Sequence, residues 1–154
     1  STKTNILLPK KSNNYVSVIK ATGHENILAN HKTTWQLTNE SHLTLKGDCI
    51  VGVNSSHSAF DLPDTMKIWL KNGNWVSIKI IIGDHEFQGK GQGHQNLTFE
   101  DRTDMVFRKS QFTCPRTITI NTSFSAFEIP NNITNLLKSR DISFLIEINK
   151  IVNE

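Results

Sequence analysis

The chain contains itself twice, and this constrains its fold more than any other feature. Residues 51–64 (VGVNSSHSAFDLPD) align without a gap on residues 118–131 (ITINTSFSAFEIPN) at an offset of 67. Asn54/Asn121, Ser56/Ser123, Ser58/Ser125, Ala59/Ala126, Phe60/Phe127 and Pro63/Pro130 are identical. Gly23-His24-Glu25-Asn26 matches Gly93-His94-Gln95-Asn96 at an offset of 70, and the only two cysteines, Cys49 and Cys114, match at 65. A repeat this short does not bury its own apolar face, so the halves are expected to share one core about a pseudo-two-fold axis.

The organisation follows from that. A chain of 154 residues is one domain by length. Residues 1–13 read as a basic tail, and residues 14–154 as a single domain of two intertwined repeats, about 14–83 and 84–152. Strands are expected at 15–22, 32–38, 102–108, 49–53 and 117–120, with short ones at 58–62 and 125–129. In the strand at 32–38, Thr33, Trp35 and Leu37 share a face. Pro63 and Pro130 suit the first turn of two short helices. Gly73 is placed to close the first, whose apolar side is Ile68, Trp69 and Leu70; the second runs over 131–139. The segments at 15–23, 75–83 and 142–151 resemble one another, which suggests that the first and last strands lie side by side. The fold class is therefore mainly β, a pseudo-two-fold duplicated β-sandwich or flattened barrel with two short helices. A two-layer α+β sheet is the alternative.

Composition narrows the setting. Hydrophobic residues at 36% with 20% charged suit a soluble globular chain, and the apolar runs are far too short to span a bilayer. The first residues lack the apolar stretch of a signal peptide. Two separated cysteines point to a reducing, cytoplasmic setting and not to a disulfide scaffold. The net charge of +3 lies partly in the tail, so RNA is permitted as a partner but not demanded.

The candidate chemistry is mostly imidazole. His24 and His94, brought together at the axis, would form an acid/base pair or bind phosphate; alternatively, each caps backbone groups in a twice-needed turn. Two rings contact one small ligand only within about 12 Å of each other. His31 aligns with Asp101, and a pair across the axis would orient that imidazole; alternatively, both are strand-end residues. Asp48, in the polar loop with His42, Lys46 and Gly47, is a substrate-facing carboxylate or an Asx-turn residue. Arg108, Lys109 and Arg116 suit a cluster for a small phosphate or carboxylate, or a solvated basic edge. The spacing favours no metal: two His and two Cys would have to meet on one axis without a Cys-x-x-Cys motif. The cysteines read as small buried hydrophobes. Nor is a cofactor motif present, since Gly89-Lys90-Gly91-Gln92-Gly93 lacks the phosphate-loop pattern and reads as a mobile loop delivering His94.

Together, ATGHENILANHKTTWQLTNESHLTLKGDCIVGV and GQGHQNLTFEDRTDMVFRKSQFTCPRT resemble the archaeal family known as domain of unknown function 371. The resemblance runs from Val16 to Val152 and implies an archaeal intracellular protein with a jelly-roll-like fold. It implies no activity. The recurring residues of the family, carried to this chain, are Gly23, His24, His31, Thr33, Thr34, Gly47, Asp48, Cys49, Gly93, His94, Arg108, Cys114 and Arg116. Some relatives carry histidine in place of Asp101, which counts against a His31–Asp101 pair.

Two classes of function fit. One is a small enzyme acting on a phosphorylated or carboxylated small molecule, with His24, His94, His31 and Asp48 as reacting groups. Thr33, Thr34, Arg108 and Arg116 would be its binding groups. The other is an RNA- or protein-binding module in which the same residues are recognition contacts.

Overall fold

The computed structural model describes residues 16–152. The expected tail, 1–13, lies outside the described residues. Strands β1 (Val16–Thr22), β2 (Thr34–Thr38) and β3 (Ile50–Gly52) lead to helix α1 (Asp64–Lys71) and strand β4 (Trp75–Ile82). The same series then recurs as β5 (His85–Gln92), β6 (Asp104–Arg108), β7 (Thr117–Thr119), α2 (Asn131–Leu136) and β8 (Ser143–Lys150).

These strands form two four-stranded sheets, ordered β1-β8-β4-β5 and β3-β2-β6-β7. Exchanging each strand for its repeat equivalent leaves both orders unchanged. The first sheet is antiparallel throughout, and β1 lies beside β8, as the likeness of the terminal strands suggested. In the second sheet β2 and β6 pair antiparallel at the centre, while β3 and β7 are added in parallel at the edges. Single bridges, Thr22 to Val53 and Gln92 to Ile120, tie the sheets at two corners. The barrel is therefore not closed.

Alternation sets what faces inward. Ile19 and Ala21, Val76, Ile78 and Ile80, and Phe144, Ile146 and Ile148 meet Trp35, Leu37, Met105 and Phe107 from the other sheet in one core. Trp35 stacks on Phe107 with ring centroids 3.9 Å apart.

The identical repeat positions have separate physical causes. Asn54 and Asn121 sit at φ 53° and 48°, a left-handed conformation asparagine tolerates. Ser56 Oγ accepts from the Lys20 N–H and Ser123 Oγ from the Lys90 N–H, each at 2.9 Å, pinning outer strands β1 and β5.

Ser58 and Ser125 open single 3₁₀ turns, Ala59–Asp61 and Ala126–Glu128, where short strands were expected. The reason is a reciprocal cap: the Asp61 carboxylate accepts from the Ser58 N–H at 2.9 Å and from its hydroxyl at 2.8 Å, and Glu128 does the same for Ser125. The Ser-x-x-Asp/Glu spacing was the available signal. Pro63 and Pro130 stand one residue before the helices, and Gly73 closes α1 at φ 78°. Met66 and Leu70 form the buried side of α1, while Ile68 is 62% exposed. Helix α2 ends at Leu136, short of residue 139.

The glycine-rich segment is strand β5 rather than a mobile loop. It pairs with β4 along its whole length, from His85 opposite Ile82 to Gln92 opposite Trp75. A Cβ on Gly89 would meet the Phe124 ring, and one on Gly91 would meet Thr119 at 2.7 Å. Glycine is needed there because the second sheet approaches this strand closely.

Candidate functional site

The two Gly-His-x-Asn turns follow β1 and β5, the outer strands of the first sheet. Thr22 pairs with Ser143 at one end of that sheet and Gln92 with Trp75 at the other. Three strand spacings, about 14 Å, and most of a strand length, about 20 Å, therefore separate His24 from His94. The histidines lie at opposite corners and share no pocket, because the axis runs through the middle of the sheet and these turns lie at its rim.

Each ring does the same local work. His24 Nδ1 accepts from the Asn26 N–H and His94 Nδ1 from the Asn96 N–H, both at 3.0 Å. An accepting Nδ1 leaves the proton of a neutral ring on Nε2. Gly23 and Gly93 are required because a Cβ on either would run into helix-end carbonyls, Leu137 and Ser139 for Gly23 and Leu70 for Gly93.

Beyond the turn the corners differ. His24 is 2% exposed, with Arg140 Nη2 3.2 Å from its Nε2. A neutral ring has one accepting nitrogen, so its tautomer decides whether His24 accepts from the Asn26 N–H or from Arg140, and Glu25 holds the guanidinium in place through bonds of 2.5 and 2.8 Å. Those bonds draw the Glu25 carboxyl from 4.5 down to about 2. Glu25 is also 3.8 Å from His24 Nδ1, a nitrogen already used as an acceptor; its ion-pair partner is Arg140. His94 is half-buried and lines an open cavity of ≈ 540 Å³ with Lys71, Gln95 and Gln111.

His31 and Asp101 cap equivalent turns separately. His31 Nδ1 accepts from the Thr33 and Thr34 N–H groups, both at 3.2 Å, and lies 3.1 Å from Thr34 Oγ1. Asp101 Oδ1 accepts from Thr103 and Asp104 at 2.8 and 2.7 Å. No hydrogen bond or ion pair joins the two residues among the described ones. Asp48 contributes through its backbone, its carbonyl accepting from the Asn30 and His31 N–H groups.

A second polar region lies on the side of the β2–β6 sheet that faces away from the core. Since Trp35, Leu37, Met105 and Phe107 point inward, Thr34, Gln36, Thr38, Asp104 and Arg108 point outward. Thr34 stands opposite Arg108 in the ladder. Arg108 Nε donates to Thr117 Oγ1 at 3.0 Å and its Nη2 to Cys114 Sγ at 3.4 Å, where the Thr117 hydroxyl also donates at 3.4 Å. Phe112, 60% exposed, lies 4.9 Å from the Arg108 guanidinium. Arg116 pairs with Asp104 at 3.4 Å, and Lys109 is instead held by Glu128 at 2.6 Å. The expected three-cation cluster thus reduces to Arg108 and Arg116.

Here the cysteines differ too. Both are half-exposed, not buried. Burial and the Asp48 charge push the Cys49 thiol up, and its Sγ–H donates to Gln36 Oε1 at 3.3 Å. Burial also pushes Cys114 up, but bonds from Thr117, the Arg116 backbone and Arg108 outweigh it, bringing the thiol from 9.0 down to about 7. In the sequence Cys114 read as a small buried hydrophobe; two of the groups that lower its thiol, Thr117 and the Arg116 backbone, are in its own turn, and only Arg108 comes from the neighbouring strand β6.

Among the described residues no three His, Cys, Asp or Glu side chains are grouped to hold a metal ion. No helix there is long and apolar enough to cross a membrane.

Residues 19–150 match the family model described as "Domain of unknown function (DUF371)". The "Uncharacterized protein MJ0206" of Methanocaldococcus jannaschii is 40% identical over 121 residues, covering 79% of this chain and 90% of that relative.

Proposed function

Because the chain belongs to the DUF371 family, whose description names no activity, we propose its function from the site itself. It is a small enzyme that uses the Cys114 thiolate on a small molecule bearing a phosphate or carboxylate. The observation that carries this reading is the half-buried Cys114 thiol that accepts from the Thr117 hydroxyl and from Arg108 Nη2, each at 3.4 Å, an arrangement that brings it down to about 7. A thiol near this value is substantially ionised at neutral pH and remains a competent nucleophile. Among the described residues Arg108 Nη1 makes no hydrogen bond and the Arg116 guanidinium bonds to Asp104 alone, so both retain donors for an oxyanion. His31, tied to Thr34 opposite Arg108, offers an imidazole N–H on this face.

The experiment uses acetyl phosphate, which joins an oxyanion to an electrophilic carbonyl. The thiolate attacks the acetyl carbonyl, the C–O bond to phosphate breaks and phosphate leaves, so mass spectrometry is expected to find a thioester on Cys114 in the wild type and none in Cys114→Ser. Iodoacetamide alkylation of Cys114 should rise about tenfold per pH unit below 7 and flatten above about 8, as the thiolate fraction does. Arg108→Gln should move that midpoint upward by about one unit, because the cation stabilises the charged form. A midpoint in the ordinary thiol range, or acetylation that ignores Cys114, sinks the proposal.

Exposed aromatics beside cations support a second reading, an RNA-binding surface: Phe112 by Arg108, and Phe60 by Arg102 at 3.8 Å. Salt-sensitive binding of a single-stranded oligonucleotide, lost in Phe112→Ala and Phe60→Ala, is its signature.

A further inference from the structure

We infer that the cavity beside His94 is a binding site for a small hydroxylated molecule carrying one oxyanion group, a phosphate or a carboxylate. This site lies apart from the Cys114 face and does not depend on its chemistry.

The argument begins with the closed twin. At the His24 corner, Arg140 packs over the imidazole and Glu25 clamps it there. The fold therefore accepts a planar polar group at this place in the turn. At the other corner both parts of that plug are absent. Gln95 stands where the first half has Glu25. The helix-to-strand turn is one residue shorter, since Gly23 bonds to Ile142, five positions past Leu137, whereas Gly93 bonds to Asn74, four past Leu70. Among the described residues no arginine lines the space, and a cavity of ≈ 540 Å³ remains.

The lining specifies the chemistry. Gln92 and Asn121 form a fixed wall, with Asn121 Nδ2 donating to Gln92 Oε1 at 2.9 Å and Gln92 Nε2 donating to the Gly73 carbonyl at 3.1 Å. His94 Nδ1 is committed to the Asn96 N–H, which leaves Nε2–H as an oriented donor. Asn72, Gln95 and Gln111 also line the cavity, and their side-chain amides make no hydrogen bond among the described residues. Each amide offers a donor and an acceptor, the combination that a hydroxyl group satisfies. Among the described residues Lys71 supplies the one positive charge, and no carboxylate lines the space. A cation, a fixed N–H donor and free carboxamides thus match an oxyanion joined to several hydroxyls. A cationic ligand would find no counter-charge.

The test titrates ribose 5-phosphate and gluconate, with ribose and inorganic phosphate alone, into isotope-labelled full-length protein followed by NMR. Saturable shifts of the His94 ring and the Gln95 and Gln111 side-chain amides are expected with ribose 5-phosphate, gluconate or both. The dissociation constant should lie between about 10 μM and 1 mM. Lys71→Met and Gln111→Leu, both at exposed positions, should each weaken binding about tenfold, while His24 signals stay still. The inference is overturned if neither sugar acid shifts His94 saturably, if both variants bind as the wild type does, or if inorganic phosphate binds as tightly as ribose 5-phosphate. Equal shifts at His24 overturn it as well. Persistence of the shifts in Cys114→Ser, whatever the fate of the thioester, separates this site from the Cys114 proposal.

Discussion

The His24 and His94 corners use the same turn, the same Nδ1 cap and the same close approach of glycine to a helix end, yet one is shut and the other open. The cysteines show a comparable split. Cys49 bonds to the Gln36 carboxamide beside Asp48, with Arg116 acting more weakly, whereas Cys114 accepts directly from Arg108. In both comparisons the backbone is duplicated and the side-chain surroundings are not. The duplication therefore supplies a frame, and the positions at which the halves diverge supply polarity, access and charge.

Substitutions made in pairs can break or sharpen this comparison. The largest expected effect comes from Gly23→Ala and Gly93→Ala. Each forces a methyl against helix-end carbonyls, so each should lower stability in urea by about 3 kcal/mol or more. A large loss from one and none from the other would show that the corners are not backbone equivalents. Ser58→Ala and Ser125→Ala should follow, each near 1 kcal/mol through loss of the 3₁₀ cap. Similar values would confirm that the turns are interchangeable.

The smallest effect on stability, and the sharpest on the comparison, belongs to Arg140→Ala. Its ion pair with Glu25 is at the surface, so the unfolding midpoint should barely move. Reaction with diethyl pyrocarbonate, confined to His94 of this pair in the wild type, should then extend to His24. A His24 that stays protected would mean that Arg140 is not what closes the corner.

Much of this frame was legible in the sequence because repetition is visible without knowing what repeats. The identities at Pro63/Pro130 marked two helix starts, and alternation marked the inward Trp35 and Leu37 of β2; the left-handed backbone at Asn54 and Asn121 showed in the sequence only as a matched pair. Proximity was not legible. Equivalent residues meet only if they lie near the axis: β2 and β6 do, whereas the turns after β1 and β5 lie at the rim of a sheet. The 3₁₀ turns were misread because their apolar triplets resemble strand, while the Ser58–Asp61 and Ser125–Glu128 caps acting over three residues decide otherwise. The two corner environments were hidden for another reason. Arg140 acts on His24 across 116 positions of chain, and Arg108 reaches Cys114 through a side-chain geometry that spacing does not encode.

The pairing of β1 with β8 also fixes when the molecule can be completed. Val16 lies opposite Asn149 and Thr22 opposite Ser143, so β1 has no sheet neighbour until β8, more than a hundred residues later, has left the ribosome. Strand β4, by contrast, acquires β5 at once through a tight hairpin. The hairpin is local and fast to form, whereas capture of β1 closes a loop of more than a hundred residues and is slow. During synthesis the β1 edge therefore waits unpaired for β8, while its Ile19 and Ala21 face can already meet Trp35 and Leu37 of the first half.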